Sequence, residues 1–134
     1  MSTTNEYLLL FRGTDWHKGL SAEDTQRAIS RMMDWFKRLT DEGTLLSGQP
    51  LDSEGKVLSG KGGRIVSDGP FAESKEAIGG YFMVRAGSLD EAVAIARECP
   101  TLDHGAQVEV RHIAESCPLA SHAAAETELA GATA

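Results

Sequence analysis

A chain of 134 residues, 41% hydrophobic and 25% charged, has the length and composition of one globular domain, which excludes general disorder. Its net charge of -7 comes with no cluster of Lys and Arg, so a nucleic-acid surface is not expected. No apolar run approaches the roughly 20 residues of a membrane span, and "MSTTNEYLLLF" lacks the basic region and apolar length of a leader, so a cytoplasmic protein is expected.

The first apolar run, Tyr7 to Phe11, is short and aromatic-flanked, which suits a strand buried on both faces. "GTDWHKG" breaks it, and Ser21 then opens a capping-box pattern with Asp24, the signature of a helix start. Ala28, Ile29, Met32, Trp35, Phe36 and Leu39 recur at helical spacing and define one apolar stripe, with Gly43 as the stop. "TLLSGQPL" reads as a second strand that Pro50 confines to an end or an edge. "DSEGKVLSGKGGRIVS" reads as a hairpin-like excursion, residues 67–77 as a loop, and Ile78 to Arg85 as a strand. Ser88 with Glu91 repeats the helix-start pattern for a stripe of Leu89, Ala92, Val93 and Ala96, which Pro100 ends. "TLDHG" is expected to be a loop, and Ala106 to Ile113 alternates as the last strand. Residues 1–114 thus form the domain, and the Ala-rich 115–134 is expected to be a mobile tail.

That order, β-α-β-hairpin-β-α-β, predicts an α+β sandwich of the ferredoxin-like kind, with two helices on one face of an antiparallel sheet. The first strand is apolar at Leu8 and Leu10 as well as at Tyr7, Leu9 and Phe11. Helices cover one face only, so the second face calls for a homodimer stacking sheet on sheet. In the last strand Val108 and Val110 point one way, Glu109 and Arg111 the other. Those two charges either border a cleft on the second face or belong to a solvated edge strand.

Chemistry is concentrated in "SDGPFAESKEAIGGYFMV", residues 67–84. Asp68, Gly69 and Pro70 specify a turn beside which Phe71 is expected to bury. Glu73, Lys75 and Glu76 follow as mixed charge, and Gly79-Gly80 permits close backbone approach. Cys99 and Cys117 match no metal or redox spacing and read as free thiols. No His-x-x-x-His or Cys-x-x-Cys pattern points to a metal, no cofactor motif is present, and "GKGGR" lacks the full phosphate-loop spacing. Trp35 lies on the helix stripe and reads as core; Trp16, beside His17, reads as a loop anchor or as the lip of a pocket.

"DGPFAESKEAIGGY" resembles the signature of the YCII-related family, in the subgroup named for its Asp-Gly-Pro-Phe motif. "EYLLLF" upstream, and "SLDEAVAIARECP" and "VEVRHI" downstream, resemble the same family in the same order. The resemblance covers residues 5–113 and implies a ferredoxin-like fold assembled as a dimeric α+β barrel. The family pattern falls on Asp68, Gly69, Pro70, Phe71, Glu73, Lys75, Glu76, Gly79 and Gly80, then on Glu109 and Arg111. Relatives of simpler sequence have a His-Asp pair proposed as catalytic, and some resemble domains linked with alternative sigma factors.

Two functional readings follow. In the first, Asp68 and His17 (with His104 and His112 as alternatives) form an acid/base pair, and Lys75 or Arg111 holds an anionic substrate. The ligand contacts would be Pro70, Phe71, Glu73, Lys75, Glu76, Glu109 and Arg111, in a pocket at the dimer interface. In the second, the same cleft serves a non-catalytic ligand-sensing module tied to transcription control.

Overall fold

The computed structural model of the chain describes residues 5–69 and 77–119. Its elements are β1 (Asn5–Arg12), α1 (Ala22–Asp41), β2 (Leu45–Pro50), β3 (Lys56–Ser59), β4 (Ile65–Asp68), β5 (Ile78–Ala86), α2 (Leu89–Ala96) and β6 (Gln107–His112). The main sheet has the order β2-β5-β1-β6, all antiparallel, and β3-β4 forms a separate two-stranded sheet. This is the ferredoxin-like α+β arrangement expected from the element order.

Local chemistry sets the helix ends. The Asp24 amide donates to Ser21 Oγ at 3.0 Å, and the Glu91 amide to Ser88 Oγ at 3.2 Å, so each serine relieves an orphan N–H at a helix start. At the other end of α1 the chain turns through Gly43 at φ 77, a conformation that glycine adopts without strain. Pro100 comes after α2 has ended and opens a 3-10 turn over Pro100–His104 where a plain loop was expected.

The register explains the two faces. Leu9 lies between Phe82 and Val110, and Tyr7 between Val84 and His112. Trp35 and Leu39 of α1 and Ala92 and Ala96 of α2 pack on that face to make the core. Leu9, Leu39 and Val84 are fully buried, each contributing about 1.5–3 kcal/mol of transfer free energy. Two apolar positions of the expected stripes stay open to solvent: Ile29 is 41% exposed and Leu89 51%. On the opposite face Leu8 pairs with Met83 and Leu10 with Tyr81, all four half-buried, and no helix among the described residues lies above them. The β3-β4 hairpin leaves Val57, Leu58, Ile65 and Val66 exposed, and its strands pair only with each other. Both cysteines are free, Cys99 buried and Cys117 exposed. No helix among the described residues is long and apolar enough to cross a membrane.

Candidate functional site

The site starts at one end of β2, β5 and β1. Gly80 lies opposite Phe11 and Gly48 opposite Phe82, and the Phe82 ring packs over Gly48, where a Cβ would stand 2.7 Å from it. Beneath α1 lies a cavity of about 1160 Å³. Its floor is Phe11 and Phe82, and α1 contributes Met32, Met33 and Phe36. The loop after β1 supplies Thr14, Trp16 and His17; the connector after β2 supplies Asp52, Glu54 and Gly55, then Lys56. Gly69 and Ala77 complete the rim.

The aromatic part is held by edge-to-face packing. Phe11 and Phe82 meet at 4.8 Å and 85°, Phe36 and Phe82 at 5.5 Å and 65°, geometries that favour ring pairs. Trp16 stacks on His104 at 6.0 Å and takes His17 edge-on at 5.5 Å. Trp35 packs behind this wall against Phe11 and Phe82, and its buried Nε1 finds no acceptor among the described residues. Cys99 lies close by, with Sγ 3.2 Å from Thr101 Oγ1 and 3.8 Å from Met32 Sδ. Burial pushes this thiol above the ordinary range, against the opposing hydrogen bond to Thr101.

Close backbone approach holds the rim. The Gly69 amide donates to the Gly55 carbonyl at 3.2 Å, and a Cβ on Gly55 would stand 2.9 Å from the Gly69 carbonyl oxygen. A Cβ on Gly79 would meet Thr14 Cγ2 at 2.8 Å. Contact distance requires glycine at Gly55, where the neighbour is a backbone carbonyl; at Gly79 the neighbour is a side-chain methyl.

The site residues expected from sequence are distributed unevenly around this cavity. His17 lines it and is exposed. Asp68 ends β4, outside the cavity wall, and its Oδ1 accepts from Lys56 Nζ across the hairpin. No described histidine bonds to it. Glu109 divides its oxygens, Oε1 accepting from Arg12 Nη1 at 3.1 Å and Oε2 from Arg111 Nη1 at 3.2 Å. Arg12 reaches the cavity lining, whereas Arg111 is 71% exposed on the uncovered sheet face. The cavity and the Glu109-Arg111 pair therefore occupy different places. Pro70, Phe71, Glu73, Lys75 and Glu76 lie outside the described residues. Among the described residues no group of His, Cys, Asp and Glu is arranged to hold a metal ion.

Sequence reasoning missed Arg12, Lys56 and Met33. A signal for the last was present: Ile29, Met33 and Phe36 form a second apolar row beside Ala28, Trp35 and Leu39, wider than two core strands need.

Helices on one face of a four-stranded antiparallel sheet, with a cavity at the sheet end, define a small ferredoxin-like α+β domain. The family model for the YCII-related domain matches residues 6–116, and the chain belongs to the YCII-related family. It is also 41% identical over 49 residues to an uncharacterized protein of Rhizobium meliloti (strain 1021). That stretch covers 37% of this chain and 40% of the relative, so the shared part is less than half of either.

Proposed function

We propose that this YCII-related protein binds a small molecule in the cavity beneath α1. One observation carries the reading. A concavity of about 1160 Å³ walled by Phe11, Phe36, Phe82, Met32 and Met33, with a few polar groups at its rim, has the form of an organic-ligand site. His17 is the titratable group best placed to touch a ligand. Asp68 and Glu109 act one step back, Asp68 by holding Lys56 and Glu109 by holding Arg12.

Acid/base catalysis through His17 is the second reading. It is favoured by the position of His17 on the lining, and ranks second because Asp68 is engaged by Lys56 and no described carboxylate orients the imidazole. A homodimer belongs to the same proposal. It is supported by the apolar face of Leu8, Leu10, Tyr81 and Met83 that no helix among the described residues covers.

The test uses 2-phenylethanol as a neutral aromatic probe, followed through methionine methyl and tryptophan indole NMR signals of the full chain. Met32, Met33 and Trp16 are expected to shift together on titration, with Met83, on the other sheet face, as the internal control. Shifts confined to Met83 would move the site to the uncovered face and defeat the reading.

A further inference from the structure

The charges around the cavity are unequal once its ion pairs are taken into account. Among the described residues of the lining, Lys56 is engaged by Asp68 and Arg12 by Glu109. Asp52 and Glu54 also line the cavity and are exposed, and neither meets a cation among the described residues. Their recorded polar contact is the Glu54 amide donating to Asp52 Oδ1 at 3.5 Å. The whole chain, at -7, has the same sign.

The body of the cavity suits an apolar group. Aromatic rings and polarizable thioethers pack against irregular apolar surfaces. Phe11, Phe36 and Phe82 supply the rings, Met32 and Met33 the sulfur. We infer that the ligand is an apolar cation, an aryl or alkyl body carrying a protonated or quaternary amine. Its body lies among the phenylalanines and its charge toward Asp52 and Glu54. This rests on the cavity being the ligand site. An anionic ligand would find the lining's lysine and arginine both already paired, and a desolvated charge without a partner is costly.

The probes are 2-phenylethylammonium, 2-phenylethanol and phenylacetate, one skeleton in three charge states at neutral pH. Each is titrated into the full chain with the same methionine and tryptophan signals as readout. The ammonium is expected to bind about three- to tenfold tighter than the alcohol, and the acetate weakest. In the double variant Asp52→Asn/Glu54→Gln the ammonium's advantage should shrink to within about twofold, while the alcohol's affinity stays the same. Raising salt to about 0.5 M should have the same effect on the wild type. Phenylacetate binding as tightly as the ammonium, or a preference that survives the double variant, overturns the ligand class. Met32 and Met33 shifts without charge preference sink this inference and leave the binding site standing. No shift from any of the three probes removes the site, and the inference with it.

Discussion

Cys99 shows how one buried group ties the core to solution conditions. It is 3% exposed, and burial raises its thiol pKa because the thiolate would be poorly solvated there. The folded state then holds the proton after the unfolded chain has released it near pH 8.5. Stability is therefore fully present below that pH and declines as pH rises toward the folded-state value. Melting temperatures measured from about pH 7.5 to 10 should fall more steeply for the wild type than for Cys99→Ala, whatever the offset between the curves. Parallel curves would show that Cys99 does not carry the effect. The same burial predicts that a thiol reagent labels the exposed Cys117 in the native protein and reaches Cys99 only on unfolding. The free thiols were legible from spacing alone. That Asp68 would pair with Lys56, and Glu109 with Arg12, was not, because each pair depends on strand register.

The elements differ in how they are anchored. α1 and α2 are capped by their own serines and packed on the sheet, so their starts could be read from a few neighbouring residues. β1 was legible from its apolar run, β6 from alternation, and β2 as lying at an end or an edge from Pro50; it is an edge strand of the sheet. The 3-10 turn at Pro100–His104 was not, since it is held by contacts such as the Ala106 amide on the Thr101 carbonyl. The cavity was hidden for a related reason: its floor depends on the strand register that sets Phe82 opposite Gly48 and Phe11 opposite Gly80. The β3-β4 hairpin is the element with least support, since two strands alone are marginal in water. Its link at the base is the Gly69-Gly55 hydrogen bond. In Gly55→Ala the new Cβ meets a backbone carbonyl that cannot turn aside, so this link should break. Amide exchange in residues 56–68 should accelerate roughly fivefold, about 1 kcal/mol of local opening, while β1 and β5 amides keep their protection. Unchanged exchange in the hairpin would show that its base is held elsewhere.

At the scale of the whole molecule, the sheet has one face covered by helices and one that no described element covers, and this second face is apolar at its centre. Leu8 and Leu10 of β1 lie beside Met83 and Tyr81 of β5, with Glu109 and Arg111 of β6 outside them. An apolar centre with a charged margin is the anatomy of an interface, and a two-fold axis lets one such patch satisfy itself. A stable contact of this kind buries about 800 Å² per partner, an area that a four-stranded sheet face can supply. Sedimentation equilibrium at micromolar concentration should therefore report twice the 14.3 kDa chain mass. Leu10→Lys separates association from folding. In a lone subunit the lysine stem can lie along the sheet and keep its ammonium in water, because no helix among the described residues stands over that face. In a two-fold dimer the same ammonium would be buried near its symmetry mate at several kcal/mol per charge. The variant should keep the wild-type far-UV spectrum and sediment at the single-chain mass. A wild type that already sediments as one chain would leave this second face without a partner copy. A Leu10→Lys protein that remains paired would put the interface elsewhere, with the exposed leucine and valines of the hairpin as the next surface to alter.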